Sequence, residues 1–156
     1  MSLLSRAARA ALESGEMFGR LSPRAEQLAR AEALGFDTSK IWYHGTRANF
    51  PAFEARPGAY GRGVYVTRDQ LKANNYANGY GDPEGANVIP VFLRRGRSAK
   101  TLDNDRIVAD PRDVRSIFAA FDPARADSSD LLAAWLLGVP VGGGALYGAW
   151  NGRNGA

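Results

Sequence analysis

The chain has 156 residues, 45% of them hydrophobic, which is enough for one domain with a buried core. It contains no cysteine and one histidine, which excludes disulfides, thiolate metal sites and any histidine-rich metal centre. The formal net charge is +4 at pH 7, a balance that favours acidic partners such as phosphates, nucleic acid or anionic membranes without choosing among them.

Ser2 to Glu13 reads as a helix, because Leu3, Leu4, Ala7, Ala8, Ala11 and Leu12 recur at helical spacing. The N-terminus lacks the long apolar run of a secretory signal. A second helix starts at Ser22-Pro23, where serine suits the N-cap and proline the first helical position. It ends near Gly35, a suitable residue just past a helix. Both helices are read as structural, with docking to a larger parent protein as the alternative.

Lys40 to His44 is rich in aromatic and β-branched residues and reads as a strand. Thr46 to Arg62, with Pro51, Pro57 and Gly58, is a loop long enough to be functional, anchored by Phe50 and Phe53. Gly63 to Val66 is a second strand. Thr67-Arg68-Asp69-Gln70 has the form of a capping box, with Thr67 at the N-cap, opening a helix through Ala77. Asn78 to Ala86 is a turn-rich linker.

Val88 to Leu93 is an apolar run expected to be a buried strand, although Pro90 within it suits an edge or a bulge. Arg94, Arg95 and Arg97 form a basic cluster, read as solvated surface with phosphate contact as the alternative. Arg106 to Ala109 is a short strand, Asp110 to Asp113 a turn, and Val114 to Phe121 a last strand ended by Asp122-Pro123. Helices placed early and short strands clustered later imply an α+β fold with a mostly antiparallel sheet.

Leu131 to Trp150 carries no charge, and its length suits a membrane span. Gly138, Pro140 and Gly142-Gly143-Gly144 interrupt it, so the expectation is a packed helix from Leu131 to Leu137 followed by a flexible tail. The chain thus divides into an N-terminal helical segment over residues 1–39, a main domain over 40–132 and an apolar, glycine-rich tail over 133–156.

Three short patterns stand out in the main domain. They are Tyr43-His44-Gly45-Thr46 after an aromatic strand, Gly61-Arg62-Gly63-Val64-Tyr65 opening the next, and Lys72-Ala73-Asn74-Asn75-Tyr76-Ala77 on the helix, with Tyr76 eleven positions after Tyr65. Together they resemble the signature of ADP-ribosyltransferases of the diphtheria-toxin and PARP type. Those enzymes carry a His-Tyr-Glu triad on a split, mostly antiparallel sheet that binds NAD in its cleft. The nearest resemblance is to the ADP-ribosyltransferase domains in polyvalent proteins of phages and conjugative elements, whose ending is similar to Asp110 through Pro123 here.

The resemblance implies roles for individual residues. His44 would bond a hydroxyl of the adenosine ribose, and Thr46 could add a hydroxyl there. Gly45 would present its backbone N–H and C=O to the nicotinamide carboxamide, since glycine permits close approach. Tyr65 and Tyr76 would sandwich the nicotinamide ring, worth roughly 0.5–1.5 kcal/mol per aromatic pair beyond burial. Lys72 matches a basic residue near the triad carboxylate, and Arg56 and Arg62 would reach the pyrophosphate.

The sequence departs from the family pattern at two points. Where relatives have the triad glutamate before an Ile-Val pair, this chain has Asp105-Arg106-Ile107-Val108, so the carboxylate position falls on Asp105. Aspartate is one methylene shorter, a loss of about 1.5 Å of reach. Asp113 is a second candidate carboxylate, placed after that strand. Ala73 stands where relatives often have a serine that meets the carboxamide, which leaves amide recognition to Gly45.

The resemblance therefore implies an NAD-dependent ADP-ribosyltransferase that uses NAD as substrate and needs no metal. Its acceptor would be a macromolecule, with protein favoured over nucleic acid. The alternatives are an NAD glycohydrolase at the same site, or a non-catalytic module binding NAD or ADP-ribose because of Asp105. The setting implied is cytoplasmic, with delivery into a host cell or carriage by a phage-like particle, and no membrane partner.

Overall fold

The computed structural model describes residues 22–78 and 87–134. The elements follow the order α1 (Pro23–Ala33), β1 (Trp42–Thr46), β2 (Arg56–Gly58), β3 (Gly61–Val66), α2 (Gln70–Asn78), β4 (Asn87–Leu93), β5 (Ala99–Lys100), β6 (Arg106–Val108) and β7 (Val114–Ser116). Short 3-10 helices cover Pro111–Asp113 and Pro123–Arg125. One sheet has the order β1-β4-β7 and the other β2-β3-β6-β5, with every pairing antiparallel. The α+β class with a split antiparallel sheet is as expected. The predicted helix over Ser2 to Glu13 and the tail beyond Ala134 lie outside the described residues.

The split is set by one contact. Tyr43 of β1 and Thr67, just past β3, exchange both backbone hydrogen bonds, at 2.8 and 3.0 Å. In antiparallel pairing both backbone polar groups of a residue point to the same side, alternating along the strand. Those of Tyr43 point away from β4 toward Thr67. Those of Gly45, two residues on, therefore face the same side, where β3 has already diverged.

The core fills the space between the sheets and continues under α1. Phe53, Val64, Val66, Ile89, Val91, Leu93, Val108, Val114 and Leu131 form one cluster. Ala31, Phe36, Phe92, Ala119, Phe121 and Ala133 form the other. β4 belongs to both, because its side chains alternate between faces: Ile89, Val91 and Leu93 enter one cluster and Phe92 the other. That accounts for its unbroken apolar run. Burying a side chain of this size contributes roughly 1.5–3 kcal/mol.

α1 forms as its ends predict. The Ser22 hydroxyl accepts from the Ala25 N–H at 3.2 Å. At the other end Gly35 adopts φ +90°, and the Gly35 and Phe36 N–H groups close onto Glu32 and Ala31 carbonyls. Arg24, Gln27 and Arg30 then donate to backbone carbonyls of Ile117, Ala119 and Ala120, seating the helix on the second cluster.

Several local expectations are corrected. The N-cap of α2 is Asp69, whose Oδ1 accepts from Leu71 and Lys72 N–H at 2.9 and 3.1 Å; Thr67 instead bonds the Asp69 N–H. The loop from Thr46 to Arg62 contains β2, which forms a hairpin with β3. Pro90 lies in a central strand, not at an edge. Its carbonyl accepts from Ile117, past the end of β7, so the missing N–H would also have pointed beyond that strand.

β7 ends at Ser116, short of the expected Phe121. The chain turns there, with the Ala119 N–H on the Ser116 carbonyl and Phe121 at φ 52°, so that the carbonyls beneath α1 meet its side chains. No helix starts at Leu131: Ala133 and Ala134 have φ of 42° and 70°, and the Leu131 N–H is taken by the Pro51 carbonyl at 2.9 Å.

The basic cluster is also corrected, since all three of its residues have acidic partners, the loosest being exposed Arg97, 4.0 Å from Asp113. Arg94 pairs with buried Asp113 at 3.0 Å and donates to the Ala126 carbonyl. Arg95 pairs with Glu32 at 2.8 Å. Burial opposes ionisation of Glu32, but the bonds from Arg95 and Thr38 outweigh it and hold its pKa below the usual value. Among the described residues, no helix is long and apolar enough to cross a membrane.

Candidate active site

β1 carries His44 into the opening between the sheets. The imidazole Nδ1 lies 2.7 Å from the Tyr65 carbonyl. A carbonyl only accepts, so Nδ1 bears the proton of the neutral ring and Nε2 is left as an acceptor. Phe50 and Phe53 stand edge-on to the ring, with centroids 6.0 and 5.7 Å away. Burial lowers the His44 pKa, the Tyr65 bond opposes that in part, and the Arg56 charge adds to the lowering. The ring is therefore neutral at neutral pH.

Gly45 is required by packing as well as by any ligand. A Cβ there would lie 2.0 Å from the Ala73 carbonyl oxygen and 3.2 Å from the Tyr76 Cβ. The absent side chain is what lets α2 rest on β1, and that contact places Tyr76 beside the opening. Tyr76 is 58% exposed, so its ring stands at the surface of the cleft.

Tyr65 is held at both ends. Its hydroxyl donates to the Gly61 carbonyl at 2.6 Å and accepts from the Tyr60 N–H at 3.0 Å. Its ring occupies the space a Cβ at Gly58 would need, 2.5 Å from Cζ. The β2–β3 hairpin is thus folded around the tyrosine, which is half-buried.

Asp105 ends the β5–β6 turn, a tight turn with Asn104 at φ 63°. Its Oδ2 lies 2.6 Å from Lys72 Nζ on α2, with Asp103 at 3.7 Å from the same nitrogen. The bond to Asp105, and then the two carboxylate charges, raise the Lys72 pKa despite some desolvation. The lysine is accordingly a charged partner of the carboxylate.

These side chains surround two cavities. One, of about 210 Å³, is lined by His44, Thr46, Phe50, Phe53, Glu54 and Arg56 among others. The second, of about 280 Å³, is lined by Tyr43, Thr67, Tyr76, Thr101, Asp103 and Asp105 among others. Gly45 and Tyr65 line both, so the two are halves of one cleft.

The structure brings His44, Gly45, Thr46, Arg56, Tyr65, Tyr76 and Asp105 to this cleft, with Lys72 touching it through Asp105. Arg62 is exposed on the hairpin and lines neither cavity. Asp113 is paired with Arg94 in the 3-10 turn, away from both. Asp103, Tyr60 and Glu54 line the cleft without having been singled out. Asp103 carried a signal, two positions before Asp105, whereas Glu54 and Tyr60 depend on how the loop folds. Among the described residues, no group of three or more His, Asp or Glu side chains could hold a metal ion.

A split pair of antiparallel sheets, with a histidine from one and a tyrosine from the other lining a two-part cleft, is the arrangement of an ADP-ribosyltransferase domain, a class that takes NAD as substrate. The family model for the ADP-ribosyltransferase in polyvalent proteins matches residues 38–135, and the chain belongs to that family. The matched stretch contains every cleft residue named above and leaves α1 outside. No curated protein and no solved structure matches the chain.

Proposed function

We propose that this domain cleaves the nicotinamide–ribose bond of NAD and transfers ADP-ribose to a macromolecular acceptor. The observation carrying this reading is the two-part cleft joined at Gly45 and Tyr65. His44 Nε2 accepts from an adenosine-ribose hydroxyl in the smaller half, with Thr46 and Arg56 beside it. The Gly45 N–H and C=O, turned toward the split, bond the carboxamide in the larger half. Tyr65 and Tyr76 flank the nicotinamide ring and fix its angle to the ribose, a positional contribution.

Asp105 accepts from the 2′-hydroxyl of the nicotinamide ribose and stabilises the positive charge that grows at the anomeric carbon. The carbon–nitrogen bond breaks, and nicotinamide leaves neutral with the electron pair. The acceptor nucleophile bonds the same carbon and loses its proton. Lys72 holds the shorter carboxylate in one orientation.

The same Lys72–Asp105 contact favours a second reading, because the lysine competes with the ribose hydroxyl for the carboxylate. The domain would then bind NAD with little turnover, or pass ADP-ribose only to water. NAD labelled on its adenosine half, incubated with the protein and cell extract, separates these. Label on macromolecules is the expected result. Label only in free ADP-ribose makes the domain a glycohydrolase, and unreacted NAD makes it a binding module. In the setting of a polyvalent protein, the acceptor belongs to the cell that a mobile element enters.

A further inference from the structure

Behind the cleft, two cations lie over one aromatic ring and a third stands beside them. The Arg68 and Arg106 guanidinium carbons lie 5.6 and 6.0 Å from the centroid of half-buried Trp42. Lys100 stands directly opposite Arg106 in the β5–β6 ladder. Directly opposed like charges destabilise a strand pair, so this placement works against folding unless an anion joins it. Among the described residues, ion pairs engage other cations, and none engages Arg68, Lys100 or Arg106.

The position of this patch is equally specific. Trp42, Arg68, Lys100 and Arg106 are the chain neighbours of Tyr43, Thr67, Thr101 and Asp105, four residues that line the larger half of the cleft. In extended chain, adjacent side chains project to opposite faces. Trp42, Lys100 and Arg106 therefore project from the reverse face of the segments that build the larger half of the cleft, and Arg68, in the bend after Thr67, lies over the Trp42 ring on that side.

We infer that this surface binds the phosphate backbone of single-stranded nucleic acid. Clustered uncompensated cations beside an aromatic ring suit a strand whose phosphates repeat along its length and whose bases offer flat faces. The inference does not depend on turnover of NAD, since binding is measured without it.

The test uses the full chain and a labelled oligothymidylate, followed by fluorescence anisotropy across a salt series. Three phosphates neutralised on a single strand weaken binding roughly 20-fold between about 50 and 200 mM salt. Arg68→Gln with Lys100→Gln, leaving one cation, should lower affinity and flatten that dependence to about threefold. Arg47→Gln with Arg97→Gln removes the same charge from exposed positions elsewhere and should stay within roughly twofold of wild type. Tryptophan quenching by the oligonucleotide should vanish in Trp42→Phe. Absence of binding at the lowest salt, or equal loss in the two double variants, overturns the inference. Tighter binding of polyglutamate than of oligothymidylate also overturns it and assigns the patch to an acidic protein.

Discussion

His44 can accept a hydrogen bond from substrate only while its ring is neutral. Its pKa in the fold is depressed below 6.5, chiefly by burial. The unfolded chain then takes up the proton first as pH falls, so stability from this group is complete above 6.5 and is lost between 6.5 and the depressed value. The melting temperature should be flat above that point and fall in mild acid, with a shallower fall in His44→Gln. NAD affinity, measured by calorimetry, should follow the same curve. An affinity that rises in acid would assign the substrate contact to a protonated ring.

Asp105 is where residue identity bears hardest on chemistry. Stabilising charge that develops in the transition state is worth 10² or more in rate, so Asp105→Asn should slow nicotinamide release about 100-fold or more. Lys72→Met leaves Asp105 without its nearest partner, at 2.6 Å. It should reduce release while sparing NAD affinity, because the lysine itself faces the carboxylate rather than the ring.

At the scale of elements, the site depends on how closely α2 rests on β1. Gly45→Ala puts a methyl group 2.0 Å from the Ala73 carbonyl, which is backbone and cannot rotate away. The cost should exceed the ~1–3 kcal/mol of ordinary overpacking. Displacement of α2 carries Tyr76 with it, so NAD affinity should drop along with the melting temperature. Asp69→Ala removes only the cap and should cost about 1 kcal/mol, a few degrees in thermal melting.

Much of this level was legible in the sequence. Ser22-Pro23 and Gly35 marked α1, and the aromatic run before His44 marked β1. Gly45 was read for its approach to a ligand, yet its missing Cβ also admits a helix 28 positions further on, a contact no local pattern encodes. Thr67 and Asp69 both suit a cap, and in the fold Asp69 takes that place while the Thr67 hydroxyl accepts from the Asp69 N–H. The short β7 was hidden because Phe118 and Phe121 look strand-like, while the chain turns there to feed carbonyls to α1. Arg94 and Arg95 looked like surface because their acidic partners, Asp113 and Glu32, are distant in the chain.

On the scale of the whole molecule, the family-matched stretch begins at residue 38, but the second core cluster requires α1. Phe92, Phe121 and Ala119 are covered by it, and Arg115, fully buried between Phe36 and Phe121, donates to the carbonyls of Ala126 and Ser128. That segment in turn pairs with Pro51 and Phe53, beside His44. A chain beginning at residue 38 should therefore melt well below one beginning at residue 22, even though each contains every cleft residue. Equal melting temperatures would make α1 a separable appendage.

The most direct measurement is nicotinamide release from NAD by the purified protein, beside Tyr65→Ala and Asp105→Ala, with cell extract supplied as a source of acceptor. Turnover by wild type and its loss in both variants is the expected result. It would make the cleft an enzyme site with Asp105 as its carboxylate. No release by wild type above background, with folding intact, would contradict a transferase, and NAD binding without chemistry would then be the function of the cleft.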